Sequence, residues 1–164
     1  MQTILVCDDD KQIVEAIDIY LTGEGFKVIK AYDGYEALEY LDNNEVDLLI
    51  VDVMMPGLDG IRTTLKVREN SSIPIIILSA KSEDADKILG LNIGADDYIT
   101  KPFSLMILLS KVNALMRRVE KKDSYRLRSG GICLDYHEMK AYKNSEPIVL
   151  TKKEWLLLAF FLEN

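Results

Sequence analysis

Short, continuously apolar runs alternate along the first two thirds of the chain with stretches in which apolar residues recur every three or four positions. The runs at residues 3–7, 27–31, 47–51, 75–78 and 97–99 read as strands. The run 48–51 is Leu-Leu-Ile-Val without alternation, as in a strand covered on both faces within a parallel sheet. Ile13, Ile17, Tyr20 and Leu21 predict a helix over 11–22 that ends near Gly23-Glu24-Gly25. Further helices are predicted over 34–43, with Ala37, Leu38 and Leu41 facing inward, and over 61–69, with Leu65 and Arg68 on different faces. The last two cover 85–92, stopping at the C-terminal glycine signal Gly94, and 104–118. Five βα units in succession imply a parallel sheet with helices on both faces and right-handed crossovers.

After residue 118 the periodicity changes. Residues 1–119 form one expected domain, 120–124 a charged linker and 125–164 a second region. Short β-like pieces there are separated by turn residues around Gly130-Gly131, Asp135 and Asn144-Ser145. Thr151 and Glu154 have the spacing of a capping box. The helix it opens, 152–162, is apolar at Trp155, Leu156, Leu158, Ala159 and Leu162.

Composition narrows the class. The 164 residues are 48% hydrophobic and 29% charged, with no apolar run near the ~20 residues of a membrane span. The N-terminus runs straight into a strand without a signal-peptide pattern, so a cytoplasmic location is expected. Cys7 and Cys133 are too few for a disulfide framework, and no Cys/His cluster suggests zinc. The net charge of −7 divides into −8 for residues 1–119 and +1 for 120–164, and neither part carries the basic stripe of a DNA-binding domain.

In a parallel sheet the strand ends bring Asp8, Asp9, Asp52, Ser79 and Lys101-Pro102 to one edge. Asp10 instead suits the cap of the first helix. Carboxylates 4 Å apart repel by roughly 4 kcal/mol per pair at an effective dielectric near 20. Lys101 relieves part of this, and an oxygen-seeking Mg²⁺ or Mn²⁺ would relieve the rest. Asp52 then stays ionised and suits nucleophilic attack on phosphorus. Lys101 and the Ser79 hydroxyl suit the positioning and charge neutralisation that phosphoryl transfer needs.

Ile4-Leu5-Val6-Cys7-Asp8-Asp9-Asp10, Val51-Asp52-Val53-Met54-Met55-Pro56-Gly57-Leu58-Asp59-Gly60, Ile77-Leu78-Ser79-Ala80 and Gly94-Ala95-Asp96-Asp97-Tyr98-Ile99-Thr100-Lys101-Pro102-Phe103 resemble the motifs of a bacterial two-component response-regulator receiver domain over residues 1–119. The resemblance implies a flavodoxin-like (βα)5 fold with strand order 2-1-3-4-5, and a phosphoryl group accepted on Asp52 from a sensor histidine kinase. It further implies Mg²⁺ held by Asp9, Asp52 and the Met54 backbone carbonyl, with Asp8 acting mostly through water. Lys101 and Ser79 would contact the phosphate, Tyr98 would be an aromatic switch, and the Lys101–Pro102 peptide would be cis. Such a protein catalyses only chemistry on its own aspartate and is no conventional enzyme. Met54 and Lys81 lie where the family tunes hydrolysis; neither offers a group to orient water, so self-dephosphorylation is expected to be slow.

Residues 90–98 and 112–118, together with Leu150-Thr151-Lys152-Lys153-Glu154-Trp155, resemble the winged-helix OmpR/PhoB-type branch. On that resemblance residues 125–164 are the β-platform and first helix of a truncated effector, and DNA binding belongs to a longer parent protein. The alternative is a phosphate sink or interaction module that binds no DNA. A third reading, a Mg²⁺-dependent phosphatase acting on external substrates, lacks a separate general base. The branch implies a homodimer through its fourth helix, fifth strand and fifth helix, with charges from Lys87, Asp96, Asp97 and Lys111 and apolar contacts from Ile88, Leu91 and Ala114. Ile107 stands where the branch usually has an acid, so that ion-pair set is incomplete. His137 is read as neither ligand nor base, and Cys7 and Trp155 as core residues.

Overall fold

The computed structural model describes residues 1–80, 92–124, 126–136 and 138–163, with 121–124 described by their backbone. The predicted helix over 85–92, apart from its last residue, lies outside the described residues with Lys87, Ile88 and Leu91, as do Lys81 and His137. The chain divides into two compact units, Met1–Met116 and Arg117–Asn164.

In the first unit the strands are β1 (Thr3–Cys7), β2 (Lys27–Ala31), β3 (Leu48–Asp52), β4 (Ile75–Ala80) and β5 (Asp97–Lys101). Among the described residues the helices are α1 (Lys11–Gly23), α2 (Gly34–Asn43), α3 (Gly60–Asn70) and α4 (Leu105–Ser124), which continues from Arg117 into the second unit. All five strands are parallel, in the order β2-β1-β3-β4-β5. This is the flavodoxin-like order anticipated above. Every residue of β1 and β3 is buried, which is why their sequences lack alternation.

Side chains leave the strands alternately and build two separate cores. Ile4, Val6, Leu48 and Ile50 pack with Ile17 and Leu21 of α1 and with Leu108 and Val112 of α4. Leu5, Cys7, Leu49 and Val51 pack on the other face with Ala37 of α2 and Val67 of α3. Cys7 is fully buried, its thiol against the Asp33 carbonyl and the Met55 sulfur. Three aspartates start helices by accepting orphan backbone N–H groups: Asp10 from Gln12 and Ile13, Asp33 from Glu36, and Asp59 from Arg62. Each such cap contributes about 1 kcal/mol.

Element edges differ from the sequence expectation in ways that matter. β3 starts and stops one residue later than 47–51, and Asp52 stands at its C-terminal end as expected. β4 continues to Ala80, which puts Ser79 inside the ladder opposite Thr100. Helix α4 continues past 118 through Ser124, because Glu and Lys are good helix formers even where they look like linker.

In the second unit β6 (Arg126–Ser129), β7 (Ile132–Asp135), β8 (Lys140–Lys143) and β9 (Glu146–Ile148) form an antiparallel sheet in sequential order. Gly130-Gly131 and Asn144-Ser145 all have positive φ, as two-residue hairpin turns matching strand twist require. The capping box is present: the Thr151 N–H donates to Glu154 Oε2 at 2.6 Å and the Glu154 N–H to Thr151 Oγ1 at 3.3 Å. It opens α5 (Lys152–Glu163), whose Trp155 and Ala159 are buried with Leu134 and Ala141. The Trp155 indole N–H donates to the Lys140 carbonyl at 3.2 Å, and Tyr136 meets the indole edge-on at 4.9 Å. Leu156 is not part of this face. The inward stripe is 155, 158, 159 and 162, and Leu156 falls about 100° off it, half exposed beside Leu157, Phe160 and Phe161.

Candidate functional site

Three strand ends assemble one acidic pocket. β1 delivers Asp8 and Asp9 just beyond Cys7, β3 ends in Asp52, and β5 ends in Lys101. Asp8 and Asp52 are buried while Asp9 is exposed, and one carboxylate oxygen from each lies within 4.8 Å of the others. The Lys101 ammonium bridges the two buried acids, 2.8 Å from Asp8 Oδ2 and 3.0 Å from Asp52 Oδ1. Asp8 is further fixed by the Asp10 backbone N–H, which donates to its Oδ1 at 2.9 Å. The Lys101–Pro102 peptide is cis.

The electrostatics follow from this crowding. Burial, reinforced by the charge of Asp8, pushes the Asp52 carboxyl up to about 6 although Lys101 pulls it down. Burial likewise raises Asp8 against the opposing hydrogen bond from Lys101. Burial alone would lower Lys101, but its hydrogen bonds to Asp8 and Asp52 outweigh that and its pKa rises. The ammonium stays charged. Three carboxylates against one ammonium still leave two negative charges when all are ionised, all on hard oxygen donors. That donor set and that excess fit a small divalent cation.

Ser79 is fully buried, and its hydroxyl finds no hydrogen-bond partner among the described residues. Leaving such a donor unmade costs about 1–3 kcal/mol. Tyr98 is half-buried and packs against the core that holds Leu5, Val51 and Ile77. Met54 is exposed on the loop after β3. Asp96 and Asp97 are both paired within the chain, Asp96 with Arg68 at 2.9 Å and Asp97 with Lys111 at 2.9 Å. Ile107 and Met106 are exposed on α4, and Ala114 is half-buried.

One residue of this region had no role in the sequence reading. The Gly60 N–H donates to the Val53 carbonyl at 2.9 Å, and a Cβ on Gly60 would lie 2.0 Å from the Asp52 carbonyl oxygen. The start of α3 thus rests directly on the main chain of Asp52. The signal was a second glycine four residues after the helix-breaking Pro56, beside the cap Asp59.

The chain matches the response regulator receiver domain over residues 4–113. It belongs to that family. Beyond the receiver, it is 39% identical over 166 residues to the uncharacterized transcriptional regulatory protein YcbL of Bacillus subtilis, covering 98% of this chain and 74% of the relative. Among solved structures, a Francisella response regulator receiver domain is 42% identical with a TM-score of 0.69, covering 73% of this chain and 99% of that one. DrrB, an OmpR/PhoB homologue from Thermotoga maritima, is 32% identical with a TM-score of 0.66, covering all of this chain and 73% of DrrB. The likeness to DrrB extends past the receiver, into the part that forms the antiparallel sheet and α5. Among the described residues of this receiver protein no helix is long and apolar enough to cross a membrane.

Proposed function

We propose that the receiver accepts a phosphoryl group on Asp52 from a sensor histidine kinase and that this switches the surface made by residues 85–92, β5 and α4. The observation that supports it best is the Lys101 ammonium bridging Asp8 and Asp52 beside Asp9. An Asp52 carboxylate oxygen attacks phosphorus, the phosphorus–nitrogen bond of the phosphohistidine breaks, and the leaving imidazole recovers a proton. Lys101 pairs with the transferred group, and the Ser79 hydroxyl, which has no other partner among the described residues, donates to it. Asp9, Asp52 and the Met54 carbonyl would hold Mg²⁺ or Mn²⁺, with Asp8 contributing mostly through water, and the ion would supply charge neutralisation for phosphoryl transfer. Drawing Ser79 toward the phosphate frees space that Tyr98 takes up by turning inward, which is a population shift. With Met54 and Lys81 unable to orient water, the acyl phosphate is long-lived. A homodimer through the switched surface uses the exposed Ile107 and Met106 more than ion pairs, because Asp96 is taken by Arg68. A relative named as a transcriptional regulatory protein supports a role in transcription.

The test treats the full chain with acetyl phosphate and Mg²⁺ and reads intact mass. One phosphoryl adduct is expected, absent in Asp52→Ala. No adduct, or one that survives Asp52→Ala, overturns the reading. Mg²⁺ at a hundred times its Kd is expected to add about 2.7 kcal/mol of stability, a rise of several degrees in Tm. Equal melting with and without the ion contradicts the metal assignment.

A further inference from the structure

Arg68, near the end of α3, does more than occupy a helix face. Its Nε donates to the Gly94 carbonyl at 2.8 Å, its Nη1 to the carbonyls of Ile73 at 2.7 Å and Ser71 at 3.2 Å, and its Nη2 to Asp96 Oδ2 at 2.9 Å. The same Asp96 oxygen accepts the Ile75 N–H at 2.8 Å, and the Asp96 N–H donates to the Ile75 carbonyl at 2.8 Å. One guanidinium therefore clamps the residues that enter β4 to those that enter β5, one step before the first ladder pair, Ile76 with Asp97. Gly94 lies against it: a Cβ there would sit 3.0 Å from Arg68 Nε. Only a planar fork with five donors serves three carbonyls and a carboxylate at once; a lysine cannot. The ion pair with the partly exposed Asp96 is individually weak, so the carbonyl contacts carry the geometry.

The opposite end of α3 rests on the main chain of Asp52 and Val53 through Gly60. The helix is thus a strut. One end bears on the phosphoacceptor strand, and the other fixes the starts of the strands whose far ends deliver Ser79 and Lys101. We propose that Arg68 is a positioning residue for phosphoryl acceptance: it holds β4 and β5 so that the Ser79 hydroxyl and the Lys101 ammonium meet the group arriving on Asp52. Arg68 touches none of the reacting atoms. The inference rests on Asp52 being the phosphoacceptor, and its test separates the two.

Full-length wild type, Arg68→Ala, Arg68→Lys and the surface control Arg62→Ala are compared at a temperature where circular dichroism shows each folded. The maximal rate of Asp52 phosphorylation at saturating acetyl phosphate and Mg²⁺ is expected to fall between about ten- and a hundredfold in both Arg68 variants. The half-saturating donor concentration should stay within about twofold, since no binding contact is removed. Low, non-denaturing guanidinium should restore much of the rate to Arg68→Ala, while equal sodium chloride should not. Where Arg68→Ala does not fold, Arg68→Lys, which keeps the stem and the charge, gives the same reading. Rates within about twofold of wild type, with only Tm lowered, overturn the inference. Amide exchange at Ser79 and Lys101 reads the clamp without any chemistry: it should quicken in Arg68→Lys, and unchanged exchange overturns the inference whether or not Asp52 takes a phosphoryl group. Absence of an adduct in wild type overturns the phosphoacceptor reading itself.

Discussion

In the proposed reaction Asp52 needs its charge for nucleophilic attack, yet it sits where that charge is penalised. Its carboxyl is pushed up to about 6 by burial and by Asp8, from an unfolded value near 4. The direction of the pH effect follows. Below about pH 4 both states hold the proton and nothing is lost. Between about 4 and 6 the unfolded chain ionises first, so stability falls as pH rises, and above 6 the penalty is constant. Asp8 is raised by the same cause and acts in the same direction. Without divalent ions, Asp52→Asn should therefore be the more stable protein at pH 7.5, by up to about 3 kcal/mol, and the advantage should vanish toward pH 4. Melting curves from pH 4 to 8 in a chelator check this; parallel curves for the two proteins would contradict it. Added Mg²⁺ should raise the melting temperature of wild type and leave Asp52→Asn nearly unmoved.

At the scale of elements, α3 is where reading the sequence reached its limit. Continuous apolar runs such as 48–51 place strands well, because burial on both faces leaves no room for polar residues. The strand ends then give Asp8, Asp52 and Lys101 with little further work. Arg68 was visible only as a polar residue on a different face from Leu65, which is how any solvated arginine looks. Apart from Asp96, its acceptors are backbone carbonyls at 71, 73 and 94, and main-chain carbonyls leave no signature in side-chain patterning. Leu156 could not be told from the inward residues for a related reason: α5 is apolar on both sides, so periodicity alone cannot say which side meets the sheet. Gly60 was hidden because glycine carries no pattern of its own. Its replacement by alanine should cost about 3 kcal/mol or more, since the Cβ meets the main chain of Asp52 rather than a movable side chain. Denaturant unfolding measures this. A Gly23→Ala control, where nothing lies within 4 Å of the added carbon, should change stability by less than about 1 kcal/mol.

For the molecule as a whole, two units of different construction share one chain. One is a parallel sheet with both faces covered; the other is an antiparallel sheet carrying a single helix. Each also holds one cysteine, and the two thiols differ in access. Cys133 in β7 is partly accessible, whereas Cys7 is sealed under the second core, where burial and the neighbouring acids Asp33 and Asp8 hold its thiol far above the usual range. A maleimide should therefore mark Cys133 promptly in the native protein and reach Cys7 only when β1 leaves the sheet. The natural sequence thus supplies both a single handle for attaching a reporter and an internal clock. Because Cys7 immediately precedes Asp8, the delay before its alkylation times the opening of the acidic pocket, and ligands that brace the pocket should lengthen it.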